Sequence, residues 1–136
     1  MDLSKQDMFC EGQQLDGTTL TAASTNVLDF SKHGDDILNK LFWSLFVDAA
    51  TNGSALTVQW YTSDAENFSS ETKLFEKSIA KELLTQGAYP IKDEPLPKGL
   101  KRYNRLKFTT EASKTAYPKV TAFLHSGRDA GTPYKG

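Results

Sequence analysis

The sequence predicts an all-β domain, a sandwich or a barrel. Three features say so: several short runs alternate apolar and polar residues, turns built on Gly, Pro and Asn/Asp separate them, and at most one short stretch carries a helical pattern. With 136 residues, 38% of them hydrophobic and 11% aromatic, the chain can bury one sizeable core and is expected to form a single domain.

The first segment, 1–25, is polar, and its apolar residues Leu3, Met8, Phe9, Leu15 and Leu20 follow neither a helical nor a strand period for long. It reads as an extended N-terminal arm, either held by something else or frayed. A β-sandwich domain is expected over 26–126, followed by a polar tail at 127–136.

Val27 to Phe30 is a short apolar run, and SKHGDD after it is turn-like. LFWSLFVD, from Leu41 to Asp48, is a strong strand with Leu41, Trp43, Leu45 and Val47 on one face and Phe42, Ser44, Phe46 and Asp48 on the other. Both faces are partly apolar, so Phe42 and Phe46 need a second cover: the arm, another subunit, or a loop of the same chain. Asn52-Gly53 predicts a hairpin into the next strand, because its central residues can take positive φ at little cost. There Leu56, Val58, Trp60 and Thr62 form a dry face against Thr57, Gln59 and Tyr61.

SDAENFSSETK is a polar loop, and Ile79, Leu83 and Leu84 ahead of Gly87 suggest a short helix over Ala80 to Gln86. Pro90, Pro95 and Pro97 confine the stretch up to Gly99 to a connection or a sheet edge. In RYNRLKFTT, Leu106 and Phe108 claim the core side together with Arg102 and Asn104, which turns Lys101, Tyr103, Arg105 and Lys107 outward. KVTAFLHS is the last strand, with Val120, Ala122 and Leu124 on one face.

The chemistry-bearing residues are sparse. Sixteen basic residues against seventeen acidic ones leave a net charge of -1, so no global field attracts nucleic acid or an anionic membrane. The start, MDLSKQDMFCEGQQ, shows no signal-peptide pattern, and no stretch approaches the roughly 20 apolar residues that span a bilayer. Synthesis in a reducing cytoplasm is expected, with no membrane partner. Cys10 is the single cysteine, which excludes an intrachain disulfide and a thiolate metal cluster. Only His33 and His125 are available, so a three-histidine zinc site is excluded, and both imidazoles are expected at the surface. Gly34-Asp35-Asp36 reads as a solvated turn rather than a metal site. Asn52-Gly-Ser and Asn67-Phe-Ser fit the glycosylation pattern but read as turns. No GxSxG elbow is present; a Ser-His-Asp arrangement is recognised by geometry, which a sequence does not give. No enzyme activity and no cofactor or metal is expected.

Basic residues concentrate in LPKGLKRYNRLKF, Leu96 to Phe108. A single-strand-binding groove needs several aromatic platforms in a wider basic surface, and this is one strand's worth. A solvated strand face, or one that meets acidic residues of a partner, fits better.

Three blocks in order resemble the head-decoration, or capsid cement, proteins of tailed bacteriophages. They are Thr25-Asn26-Val27-Leu28-Asp29-Phe30, Leu56-Thr57-Val58-Gln59 leading to Thr62-Ser63-Asp64, and Leu96-Pro97-Lys98-Gly99-Leu100-Lys101-Arg102-Tyr103 followed by Arg105-Leu106. Asn104 departs from that pattern, which has an apolar residue there, and the tail after Ser126 has no counterpart. The resemblance implies a jelly-roll-like sandwich that assembles as a homotrimer on the outer capsid surface of the virion and ties major capsid protein subunits together, after synthesis in the bacterial cytoplasm. The arm from Leu3 to Leu20 is expected to become ordered on the capsid, with Met8, Phe9 and Leu15 as anchors and Leu3 a further interface candidate. Phe42, Phe46, Lys101, Tyr103, Arg105 and Lys107 are the further interface candidates. The competing readings are a carbohydrate-binding jelly-roll module using Trp43 or Tyr61, and a nucleic-acid-binding β domain using Lys101, Arg105 and Lys107.

Overall fold

A computed structural model describes residues 8–16, 20–30, 41–49 and 53–125. Nine strands run in chain order: β1 (Met8–Gln14), β2 (Thr21–Ala23), β3 (Leu28–Asp29), β4 (Phe42–Ala49), β5 (Leu56–Ser63), β6 (Thr72–Ile79), β7 (Ile91–Pro95), β8 (Tyr103–Thr110) and β9 (Lys119–His125). They form two antiparallel sheets, one ordered β1-β9-β4-β7 and the other β2-β8-β5-β6, with the two-residue β3 paired to the end of β8. Leaving β3 aside, the first strand pairs with the last, the second with the last but one, and the chain crosses repeatedly between sheets. This is the jelly-roll order, and the sandwich is the expected fold class.

Alternation places the core as read. Trp43, Leu45 and Val47 of β4 meet Leu56, Val58 and Trp60 of β5 across the sandwich, all at most 1% exposed. Trp43 packs edge-on against Trp60 at 5.3 Å and against Phe75 at 5.3 Å, and Phe9 meets Trp60 at 4.9 Å. Such edge-to-face pairs add to the burial of large rings and tie the two sheets together. Trp43 is therefore a core residue and offers no platform to a sugar.

Several expectations change. The segment assigned to the arm contributes two strands: β1 pairs with β9 and β2 with β8. Phe9 and Leu15 belong to the core, and Met8 is 4% exposed, so none of these three is free to anchor a partner. Leu3 lies outside the described residues. β4 and β5 sit in different sheets, so Asn52-Gly53 does not close a hairpin. Gly53 is needed for another reason: a Cβ there would lie 2.6 Å from the Ala116 nitrogen and closer still to its carbonyl oxygen. In place of the helix over Ala80 to Gln86 stands a three-residue 3-10 turn, Lys81–Leu83, preceded by strand β6. β6 hid because Leu74 is an extra residue opposite the Trp60–Tyr61 step, which breaks the period of two.

Candidate functional site

The two outer faces of the sandwich carry the polar and aromatic side chains expected to meet a partner. On the β1-β9-β4-β7 sheet, Phe42, Ser44 and Phe46 alternate with the core residues of β4, and Thr121, Phe123 and His125 do the same on β9. β9 is covered on both sides: from Val120 to His125 no residue is more than 2% exposed. Phe46 and Phe42 are half-buried, and Phe46 packs on Tyr89 at 5.0 Å, with the Lys92 ammonium 5.9 Å from the tyrosine ring.

His125 is not a surface imidazole; it is fully buried at the end of this face. Its Nε2 lies 2.8 Å from Ser44 Oγ and 3.4 Å from Asp93 Oδ1, while the Asp93 backbone N–H donates to Ser44 Oγ at 3.0 Å. Nδ1 is buried and has no hydrogen-bond partner among the described residues. A catalytic triad needs the carboxylate on one ring nitrogen and the hydroxyl on the other. Here both approach the same nitrogen, and Ser44 is 1% exposed, so this geometry does not present a nucleophile. It is a polar clasp joining β4, β7 and β9. Burial lowers the His125 pKa, and the Asp93 carboxylate opposes that only in part.

On the β2-β8-β5-β6 sheet, β8 turns Tyr103, Arg105 and Lys107 outward as its alternation predicts. Their acidic partner belongs to the same chain. Glu71 takes Arg105 Nη2 on one oxygen at 3.1 Å and Lys107 Nζ on the other at 2.6 Å, with all three side chains about a quarter exposed or less. Burial works to raise the Glu71 pKa, but the hydrogen bonds from Lys107 and Arg105 outweigh it and hold the carboxyl below its ordinary range. Arg105 lies 4.1 Å over the Phe68 ring and Lys107 Nζ 4.4 Å over Tyr61. The rings that could stack on a base or a sugar thus each have one face covered by a cation of this chain. Tyr103 carries Arg102 at 4.9 Å, itself bidentate to Asp29, and exposed Lys101 reaches Asp64 at 3.9 Å.

Glu71, Phe68, Tyr89 and Asp93 were not legible as parts of these faces. All four come from loops or from an irregular edge strand, where no periodicity assigns a side. Phe68 and Asp93 adopt positive φ, of 58° and 52°, which no sequence pattern at those positions announces.

Among the described residues, no group of three His, Cys, Asp or Glu side chains gathers as metal ligands, and no helix is long and apolar enough to cross a membrane. A cavity of about 130 Å³ lies at the β1 edge, lined by Met8, Glu11, Thr25 and Asn26.

Compared with known protein families, the chain matches the family model described as Bbp16 over residues 9–124. No curated protein matches it.

Proposed function

The chain belongs to the Bbp16 family, which is phage-related, and on that premise we propose that it is a head-decoration protein that binds the outer capsid surface and stabilises contacts between major capsid protein subunits. The observation that carries this reading is the extent of the match. It runs through the sandwich from β1 to β9 and contains all three sequence blocks that resemble capsid cement proteins.

The fold supports the reading physically. The first and last described strands, β1 and β9, pair with each other, so one sheet holds segments more than a hundred residues apart in a single rigid unit. Among the described residues the two outer faces carry clasped charges and half-buried aromatics, as suits a protein that meets another protein over an area. Phe42 and Phe46 on one face, and Lys101 and Tyr103 at the end of β8, are the sequence candidates that keep accessible surface for such a contact. Arg105 and Lys107 are already paired.

A decoration protein stabilises the expanded head only as far as it binds that state better than the precursor shell or the free subunits. The test is sedimentation of the purified protein with expanded, undecorated heads of its parent phage and, separately, with precursor shells. Saturable binding to expanded heads at a fixed ratio per capsid subunit, weaker on precursor shells, is the expected result. Folded protein that stays in the supernatant with both would overturn the reading.

A further inference from the structure

We infer that His125, Ser44 and Asp93 form a proton-operated latch: with the ring neutral they hold the outer end of β7, residues 92–95, on β4, and protonation of His125 releases that end while the two sheets stay folded. β7 is an edge strand, and among the described strands it pairs with β4 alone. Its inner end is anchored by Ile91, which is 1% exposed, whereas Lys92, Asp93 and Pro95 are exposed and Glu94 is half-buried. A stretch with so little apolar surface to lose opens at much lower free energy than the core.

The fastening is made by side chains. Trp43 faces Glu94 and Leu45 faces Ile91, so Lys92 and Asp93 together stand opposite the single residue Ser44. At this bulge Asp93 takes a positive φ of 52°, and its backbone N–H donates to Ser44 Oγ at 3.0 Å. A non-glycine residue keeps such a φ only where its surroundings hold it. Ser44 Oγ is in turn 2.8 Å from His125 Nε2, and the Asp93 carboxylate reaches the same nitrogen at 3.4 Å. The contacts thus run from a bulge on β7, through β4, to a titratable ring on β9.

Protonation works against this arrangement. A neutral imidazole carries one ring hydrogen and a charged one carries two. Every polar partner of the ring sits at Nε2, while Nδ1 has none among the described residues and the ring lies between Phe42 and Phe123. The charged ring therefore buries an N–H at Nδ1 without an acceptor, and its Nε2 no longer accepts the Ser44 hydroxyl. Lifting residues 92–95 uncovers the Ser44 side of the ring and lets it turn until both N–H groups meet water.

Among the charged groups of the described strands packed against the ring, only the Asp93 carboxylate faces it and favours the charged form. Asp48 of β4 is bonded to Thr121, Lys119 lies at the far end of β9, Lys92 lies over Tyr89, and Glu94 stands opposite Trp43. Burial outweighs Asp93 and lowers the pKa of the docked ring, so the released state takes up the proton more readily and acid shifts the population toward it. The latch does not rest on the capsid reading.

The experiment is amide hydrogen exchange of the full chain, followed by NMR from pH 7.5 to pH 5.5, corrected for intrinsic rates and repeated in low urea, for the wild type, His125→Gln and Ser44→Ala. In the wild type the Asp93 and Glu94 amides should lose protection several-fold, up to about tenfold, as the His125 ring signals titrate. Their exchange should stay faster than that of β5 and β8 and insensitive to low urea, because local opening exposes little surface. His125→Gln should remove the pH response, and Ser44→Ala should leave both amides weakly protected at either pH. Should a variant fail to fold, the wild type still decides, since the amide response and the ring titration must coincide. Exchange at Asp93 as slow and as urea-sensitive as in β5 and β8, an acid response absent or out of step with the ring, or the same response in His125→Gln would each overturn the inference.

Discussion

Trp60 Nε1 donates a hydrogen bond to Asn104 Oδ1 at 3.0 Å inside the sandwich, where both residues are fully buried. Asn104 in turn donates from Nδ2 to the Lys101 carbonyl at 3.0 Å, so one side chain fixes the core indole and the turn that leads into β8. This is the position that departs from the apolar pattern of capsid cement proteins. A polar residue is stable there because nearly all of its hydrogen-bonding capacity is met.

Asn104→Leu should therefore destabilise the domain despite adding apolar volume, by about 1–3 kcal/mol, because the indole N–H loses its acceptor without access to water. Urea denaturation monitored by tryptophan fluorescence measures this. An unchanged midpoint would show that the indole finds another partner.

Removing residues 1–24 should abolish the folded state, since it deletes β1 and β2 and with them Phe9 and Leu15 of the core. Phe9→Ala alone should cost about 3–5 kcal/mol. Asn26 reinforces the docking of β1: its side chain donates to the Met8 carbonyl at 3.0 Å and its backbone N–H to that of Phe9 at 2.8 Å. A truncated protein with native near-UV circular dichroism would contradict this.

Stability should fall on mild acidification. His125 has a folded pKa below the ordinary histidine value of about 6.5, so the unfolded chain takes up the proton first. Its contribution is full above that value, is lost as pH drops through the interval down to the lowered folded pKa, and is flat below. Glu71, held below the ordinary carboxylate range, contributes a further loss at lower pH still. Unfolding free energies from pH 8 to pH 5 should slope for the wild type and be flatter for His125→Gln; equal slopes would assign the effect elsewhere.

Cys10 should be inert to thiol reagents in the native state. It is fully buried, its thiol donates to the Val120 carbonyl at 3.6 Å, and burial pushes its pKa up to about 12. Labelling by a chromogenic disulfide should appear only with denaturant, at a rate that follows unfolding. Prompt native labelling would mean that β1 opens locally.

Gly53→Ala should be poorly tolerated, at about 1–3 kcal/mol or more, because the added methyl meets the Ala116 backbone rather than a side chain that could turn away. The thermal midpoint reports it directly. A neutral result would show that the 116 loop yields.

By itself the sequence determined what is local and periodic. Alternation within β4, β5, β8 and β9 assigned Trp60, Leu106, Phe108 and Val120 to the core and turned Arg105 and Lys107 outward, since neighbours along a strand must point to opposite faces. Proline spacing confined the stretch holding β7 to a connection or an edge, and the sheet order makes β7 an edge strand. Tertiary structure alone decided what depends on residues far apart in the chain. Met8–Gln14 looks aperiodic because its strand is irregular at two points, and it becomes a strand only when β9, more than a hundred residues later, offers its edge. Glu71 neutralises a basic face that local reading left open for a partner, and Ser44 with Asp93 clasps a histidine that composition placed in solvent. The physical reason is common to all three. Apolar burial is set mainly by a residue's position along its own strand, whereas a buried polar or charged group needs a particular partner, and long-range pairing selects which one it gets.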